Sequence, residues 1–265
     1  MIKFKKAIAV MLSAVMMLTA GSVPITVNAA TVESSSVAST ITGTYNDYSY
    51  SITEQKVTIT GYTGTETEIE IPSEINGCPV TSIGKFAFET SAVTNVIIPD
   101  TVTHIGYGAF SESKLENIEI PDSVVYIDED AFSHCSSLES VTISESVESI
   151  GDGTFCRCEN LKDVYCKAIL PPTTTLGQWG NWYTFYECSS LTNLTIPASV
   201  SSIGNSAFYE CSNLTSINIP DSVSSIEDSA FFGCSNLTNL TIPDSVSSIG
   251  YWAFENVPHI EYHGS

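Results

Sequence analysis

The apolar and polar residues of this chain repeat every 22 or 23 residues. Segments beginning at Leu191 and Leu214 are nearly identical, and each reads Leu-x-x-(Leu/Ile)-x-Ile-Pro, then Ser-Val-Ser-Ser-Ile, then Ser-Ala-Phe and Cys. A fixed period of this length is typical of a solenoid, in which each coil covers the apolar face of its neighbours. The pattern therefore predicts a repeat solenoid that is mainly β.

One phenylalanine, preceded by Ala or Thr, marks each coil, and successive gaps of 22, 22, 23, 30, 23, 23 and 23 residues predict eight coils with one insertion of seven residues. The eight marker residues are Phe88, Phe110, Phe132, Phe155, Phe185, Phe208, Phe231 and Phe254. Within a coil, Leu214-x-x-Ile217-x-Ile219 predicts a short parallel strand. Ala230-Phe231, after polar residues, predicts about one helical turn.

The N-terminal region departs from the repeat. Residues 1–29 combine a basic start, an apolar run and a small-residue cleavage site, which predicts a signal peptide and an extracellular location. Residues 30–43 form a Ser/Thr-rich spacer, and residues 44–265 form the repeat domain, with its cap and first coil in 44–80 and an irregular coil at 162–188. Period-two alternation in 48–52 and 57–60 predicts a β-hairpin that caps the exposed sheet edge.

The motifs Leu-x-x-Leu-x-Leu/Ile-Pro, Ser-Ile-Gly and Ala-Phe-x-x-Cys-x-x-Leu closely resemble the BspA-like leucine-rich repeats of bacterial surface antigens. The resemblance runs from about Tyr45 to Tyr262. It implies that the parallel strands lie on the concave side. It also implies an adhesion or protein-binding role at the cell surface, without identifying a ligand.

Charge narrows the possible partners. Removing the leader takes away three of nine Lys+Arg and none of the 30 Asp+Glu, so the mature chain carries 6 − 30 = −24. No Lys or Arg follows Lys167. Nucleic acid and anionic membranes would be repelled, and the mature chain has no apolar stretch long enough to span a bilayer. The plainest interpretation of this charge is a solvated surface that keeps an exported protein soluble.

Cysteines recur at one position of the coil, in Cys135, Cys158, Cys188, Cys211 and Cys234. Equivalent residues of stacked coils point the same way, so the pattern favours buried free thiols over disulfides or a converging metal site. Coils 1 and 2 are each one residue shorter, which predicts that they omit the cysteine position. Cys166 replaces a strand isoleucine and is predicted to lie in the core. Cys78 and Cys156 remain unassigned.

Two surfaces are candidates for ligand binding. The first consists of the residues that alternate with the apolar ones in each strand and so face outward. Its candidate members are Asp163, Tyr165, Asn193, Thr195, Ser216, Asn218, Asn239 and Thr241. Short polar residues suit hydrogen bonding to a protein or a sugar, and they equally suit a plain solvated sheet.

The second candidate is the irregular coil, which places Trp179, Trp182 and Tyr183 close together. Insertions in repeat proteins often lie on the binding face, and aromatic residues anchor protein ligands or stack on sugars. The alternative is that the two tryptophans fill the gap where the regular coil is broken.

Catalysis has little support, because the acidic runs at 128–130 and 227–228 lie in turns far from any basic residue, and the four histidines are scattered. The sequence thus predicts a non-enzymatic, cofactor-free binding or adhesion protein that uses its concave sheet and aromatic insertion to bind a protein. The alternative is a carbohydrate-binding or carbohydrate-active extracellular protein. The C-terminal coil lacks a matching hairpin, which also suggests edge-to-edge self-association there.

Overall fold

A computed structural model describes residues 39–166, 183–198 and 200–262. The predicted signal peptide, most of the predicted spacer, and Trp179 and Trp182 lie outside the described residues. The described residues contain twenty strands: β1 Ile41–Tyr45, β2 Tyr48–Thr53, β3 Lys56–Tyr62, β4 Glu68–Glu70, β5 Glu74–Ile75, β6 Cys78–Ile83, β7 Asn95–Ile97, β8 His104–Ile105, β9 Asn117–Glu119, β10 Tyr126–Ile127, β11 Ser140–Ile143, β12 Ser149–Ile150, β13 Asp163–Cys166, β14 Asn193–Leu194, β15 Ser202–Ile203, β16 Ser216–Asn218, β17 Ser225–Ile226, β18 Asn239–Ile242, β19 Ser248–Ile249 and β20 Glu261–Tyr262.

The coils, numbered 1 to 8 by their marker phenylalanines, stack into two ladders of short parallel strands. The front ladder consists of β4 and β7, then β9, β11, β13 and β14, then β16, β18 and β20, and strands within each group are hydrogen-bonded. The rear ladder consists of β3, β6, β8, β10 and β12, followed by β15, β17 and β19. The front strands were predicted from the sequence, whereas the rear ladder was not.

The predicted hairpin cap is confirmed. Strands β2 and β3 pair antiparallel around a turn in which Glu54 and Gln55 have φ of 53° and 61°. Two consecutive positive φ values match the twist of a tight hairpin. A further strand, β1, pairs antiparallel with β2 and begins at Ile41, inside the segment expected to be a spacer. Strand β3 then pairs parallel with β6, which joins the cap to the rear ladder.

The prediction of a helical turn around each marker phenylalanine was wrong, because the described residues contain no helix. Three linked turns take its place. In coil 1 they are closed by the amides of Ala87, Glu89 and Ser91, which donate to carbonyls three residues earlier. The alternate amides, of Phe86, Phe88 and Thr90, donate instead to carbonyls of coil 2. A helix would satisfy every amide within its own segment, whereas this ribbon, which we call the turn edge, uses half of them to join coils.

Positive φ angles make the turn edge possible. The residues two before and two after the marker phenylalanine have φ between 53° and 75° in all eight coils. Gly108, Asp130, Gly153, Gly233 and Asn256 occupy some of these positions, and such residues adopt left-handed backbone most readily. The polar residues before the marker phenylalanine, on which the prediction of a helical turn rested, therefore specify turns.

The eight marker phenylalanines form one continuous stack through the interior. Neighbouring ring centroids lie 4.9 to 5.6 Å apart and the ring planes differ by 3° to 10°. Parallel rings at this distance gain about 0.5–1.5 kcal/mol per pair beyond the burial of their surface. The stack runs unbroken from Phe155 to Phe185, so the seven-residue insertion leaves the interior in register.

Replacing Phe132 by Ala should lower the free energy of unfolding by about 3–5 kcal/mol, since its buried ring stacks on Phe110 and Phe155. Tyr126→Ala, at a position 50% exposed on the rear ladder, is the control and should cost less than about 1 kcal/mol. Urea unfolding followed by circular dichroism measures both. Equal losses in the two variants would contradict the stack as a main source of stability.

Candidate functional site

The front ladder brings six of the predicted ligand-binding residues onto one exposed face. Leu194, Ile217 and Leu240 point inward at the middle of three successive strands, and the exposed residues flank them on both sides. The six are Asn193, Thr195, Ser216, Asn218, Asn239 and Thr241. Alternation along the strand thus determines which side chains a ligand can reach.

The six residues lie in two rows across coils 5, 6 and 7. Ser216 is in register with Asn239, and Asn218 is in register with Thr241. Together they line a shallow groove of about 510 Å³, to which Thr192, Thr238 and His259 also contribute. Neighbouring parallel strands lie about 4.8 Å apart, so a ligand lying along the groove would meet a similar pair of polar groups at each coil.

Asp163 and Tyr165 extend the two rows into coil 4. Asp163 accepts a hydrogen bond of 2.8 Å from the Asn193 side chain, so these two groups partly satisfy each other. Tyr165 is 56% exposed and is in register with Thr142. Its ring is a large exposed side chain on β13, the strand that pairs with β14.

Tyr183 is not part of this face. It lies on the turn edge with φ of 65°, and its ring packs edge-on against Tyr186 at 5.1 Å. The structure therefore separates Tyr183 from the front-ladder candidates. Its predicted partners Trp179 and Trp182 lie outside the described residues.

The front ladder of coils 1 to 3 differs chemically, and it was absent from the predicted site. Ile97 is 58% exposed, in register with Glu70 on one side and followed by Glu119 on the next coil. Ile97 and Glu119 border a second groove of about 940 Å³, which Asp100 and Asp122 also line. An isoleucine at an outward strand position was the sequence signal for this half of the face.

The turn edge carries aromatic residues that sequence reasoning also missed. Tyr186, Tyr209 and Phe232 each follow a marker phenylalanine, and they stack with centroids 4.7 and 4.8 Å apart. On coil 8, Tyr251 and Trp252 are 77% and 70% exposed. Aromatic residues next to the marker phenylalanine in consecutive coils were the available signal.

Charged side chains on the surface bridge neighbouring coils. His104 lies 2.9 Å from Asp128, Arg157 lies 3.2 Å from Glu187, and Lys162 lies 3.1 Å from Glu139. All six side chains are at least one-third exposed, so each pair contributes at most about 1 kcal/mol. The part of the chain that the structure describes contains no group of three or more His, Cys, Asp or Glu residues suited to a metal ion.

Comparison with known families identifies the repeat. The model of the BspA type leucine-rich repeat region matches residues 62–176 and 181–263, in six copies. The chain belongs to the BspA type leucine-rich repeat family. Membership indicates a repeat-based binding or adhesion role, and proteins of this family are typically non-enzymatic.

Solved structures of bacterial proteins share the BspA type fold. A leucine rich cell surface protein from Faecalibacterium prausnitzii A2-165 is 30% identical over 85% of this chain, with a TM-score of 0.57. The leucine rich repeat protein of T. pallidum is 27% identical over 82% of this chain and 90% of its own, also with a TM-score of 0.57. This chain spans 55% of the F. prausnitzii protein. A search of curated proteins found no match.

In this BspA type chain, no helix among the described residues is long and apolar enough to cross a bilayer. The structural neighbour from F. prausnitzii is a cell surface protein.

The repeated cysteines of the BspA coil join neighbouring coils through hydrogen bonds. In each of five coils the thiol donates to the carbonyl oxygen of the marker phenylalanine of the previous coil, over 3.0 to 3.2 Å. All five are buried, and no disulfide joins the seven cysteines whose side chains the structure describes. Cys166 lies in β13, and its side chain is outside the described set.

The prediction that coils 1 and 2 omit this position was wrong. Ser91 and Ser113 occupy the cysteine position. The amide of each donates to the carbonyl oxygen of the marker phenylalanine three residues earlier, as the amide of Cys135 does. The Ser113 hydroxyl lies 3.3 Å from the Cys135 sulfur. The missing residue is therefore in the short link to the next strand, and a small polar group continues the row.

Burial suppresses ionisation of these thiols. It raises the pKa of Cys135 to about 11 and of Cys234 to about 12, and it raises the pKa values of Cys158, Cys188 and Cys211 well above the ordinary value. Thiols that remain protonated and enclosed are poor nucleophiles. The row is therefore a structural feature of the core.

We expect the five buried thiols to resist iodoacetamide at pH 7.5 in the folded chain and to react completely in urea. Burial blocks both access and thiolate formation, and mass spectrometry after timed quenching measures the labelling. Labelling of Cys158 or Cys211 at the rate of a free thiol under native conditions would contradict the buried row.

Stability should fall with rising pH in the alkaline range. A thiol whose folded pKa is raised contributes stability that is fully present below the unfolded pKa of about 8.5 and is lost as pH rises through the folded value. With folded pKa values of about 11 for Cys135 and about 12 for Cys234, the loss should exceed roughly 1.4 kcal/mol per pH unit between pH 9 and 11. Urea titrations at stepped pH measure it.

Cys135→Ser is the matched variant, because serine already occupies this position in coil 2 at Ser113. It removes one titrating thiol and should make the decline with pH shallower. An unchanged or steeper slope would contradict the assignment.

Proposed function

We propose that the chain is an extracellular binding protein that holds a protein ligand on the polar part of its front ladder. The observation that carries the proposal is the two-row array of Asn193, Thr195, Ser216, Asn218, Asn239 and Thr241, exposed and in order across three coils. The family's repeat-based binding role supports it. In this proposal the leader at 1–29 exports the protein, and no reaction is catalysed.

Short amide and hydroxyl side chains suit such a surface for an energetic reason. They offer both donors and acceptors, and they have fewer rotamers to immobilise than Lys, Arg or Glu. Each of the strands that carry them is hydrogen-bonded to at least one neighbouring strand, so the array is ordered before binding. Preorganisation of this kind reduces the entropy cost of association.

Tyr165 fits the role of anchor at one end of the array. Its ring is more than half exposed and is next to the hydrogen-bonded Asp163 and Asn193. Tyrosine provides a large contact area with few rotatable bonds, and interfaces commonly concentrate their binding energy at such residues. In this proposal Tyr165 contributes affinity and the Asn/Ser/Thr rows contribute specificity.

The test compares front-ladder and rear-ladder variants on arrays of extracellular proteins and of glycans. Asn218→Lys combined with Thr241→Lys places two long cations on the proposed face and should weaken binding of the captured protein at least tenfold. Ser248→Lys, at an exposed rear-ladder position, is the control and should bind as the unmodified chain does. Thermal melts of all variants verify folding.

Two outcomes would contradict the proposal. One is unchanged protein binding by the front-ladder double variant together with loss in the Ser248→Lys control. The other is capture of glycans alone, or turnover of any polysaccharide, which would favour a carbohydrate-binding or carbohydrate-active protein.

A further inference from the structure

Coil 8 has a tryptophan at a strained position of the turn edge. The position two residues before the marker phenylalanine has positive φ in every coil, and it holds Gly, Asp or Ser in coils 2, 3, 4, 6 and 7. Aromatic residues occupy it in the other three coils, as Phe86, Tyr183 and, in coil 8, Trp252 with φ of 55°. A bulky side chain in this conformation costs about 1 kcal/mol or more relative to glycine.

The fold does not compensate for that cost by burying the ring. Trp252 is 70% exposed, and its neighbour Tyr251 is 77% exposed, the two most exposed large apolar side chains among the described residues. Because the Trp252 ring is largely exposed, packing of this coil does not account for an aromatic residue at the strained position. An exposed apolar patch of this kind commonly marks an interaction site.

Charge indicates what such a site would accept. Coils 5 to 8 contain no Lys or Arg, since none follows Lys167. Two exposed carboxylates lie beside the aromatic pair. Asp228 accepts a hydrogen bond of 2.6 Å from the Tyr251 amide, and Glu255 is three residues beyond Trp252, to whose carbonyl its amide donates. An aromatic face next to carboxylates, with no cation of its own, is complementary to a positively charged group.

The same chain provides an internal example at the other end of the stack. Phe86 of coil 1 occupies the turn position equivalent to Trp252, and Tyr107 of coil 2 occupies the position equivalent to Tyr251. The ammonium of Lys85 lies 5.0 Å from the Phe86 ring centroid and 4.7 Å from that of Tyr107. These two rings come from adjacent coils, so the example shows that aromatic residues of the turn edge can hold a cation between them.

We propose that Tyr251 and Trp252, with Asp228 and Glu255, form a second binding site that takes an Arg or Lys side chain from a partner protein. Arginine fits best, because its planar guanidinium stacks on an aromatic face while its N–H groups reach a carboxylate. The site is on the turn edge, away from the polar rows of the front ladder. Its success or failure is therefore independent of the function proposed above.

The test uses surface-immobilised peptides of defined charge and the full-length mature chain. An acetylated and amidated Gly-Arg-Gly-Arg-Gly-Arg-Gly peptide should bind, and the peptide with Glu in place of Arg should not. Trp252→Gly should weaken binding by about three- to thirty-fold, the range expected for one cation–π contact. Because glycine suits φ of 55°, this variant should melt no lower than the unmodified chain.

Ser229→Gly is the matched control. It makes the same backbone change at the equivalent turn position of coil 7, where φ is also 55°, without removing a ring. It should bind the Arg peptide as the unmodified chain does. The front-ladder double variant should also retain peptide binding, which separates this site from the one proposed above.

Each remaining outcome would overturn the proposal. These are no binding of the Arg peptide by the unmodified chain, equal binding by Trp252→Gly, or equal binding of the Arg and Glu peptides. Trp252-dependent capture of a hexasaccharide instead of the Arg peptide would identify a sugar site. Trp252-dependent dimerisation in light scattering would identify a second copy of the chain as the occupant.

Discussion

The structure depends on hydrogen bonds and ring contacts that pass from one coil to the next. Along the turn edge the chain directs every second amide out of its own coil, and the front and rear ladders do the same through their strand pairing. A coil considered alone has too few contacts to offset the entropy of ordering about 23 residues. The phenylalanine stack and the row of buried thiols also stabilise the contact between adjacent coils, because both link equivalent positions of those coils.

Much of this could be predicted from the sequence, since periodicity reports which residues are repeatedly buried. The eight marker phenylalanines, the front strands and the N-terminal hairpin follow from spacing and alternation. The turn edge did not follow, because Asp-x-Ala-Phe suits both the start of a helix and a series of turns. The distinction depends on amides that bond to another coil, a feature that the composition of one coil does not contain.

The candidate site shows a similar limit. Alternation correctly selected the outward residues of the front ladder, because period two is a local property of a strand. It could not place Tyr183, which is on the turn edge, or distinguish Ser91 and Ser113 from a deletion. The exposure of Ile97, Tyr251 and Trp252 also depends on which side chains pack over them in the fold. Those spatial neighbours are not evident from a single sequence.

The interior repeats the same residue types from coil to coil, while the outward-facing residues differ between coils. The front ladder changes from Glu and Ile in the first coils to Asn, Ser and Thr in the later ones, while the buried positions keep the same residue types. The turn-edge position after the marker phenylalanine also changes, from Glu89, Ser111 and Ser133 in coils 1 to 3 to Tyr186, Tyr209 and Phe232 in coils 5 to 7. Binding properties can therefore differ along one molecule without any change in the way that its coils stack.

Amide hydrogen exchange of a Phe110→Ala variant tests the central claim most directly. Phe88 lies in coil 1 and its amide donates to Ala109 of the altered coil 2, whereas Phe132 lies in coil 3 and its amide donates to Thr154 of coil 4. If coils are ordered mainly by their neighbours, exchange should become faster at Phe88 and Phe132 by a factor similar to that within coil 2. Faster exchange confined to coil 2, with the protection of Phe88 and Phe132 unchanged, would contradict the account.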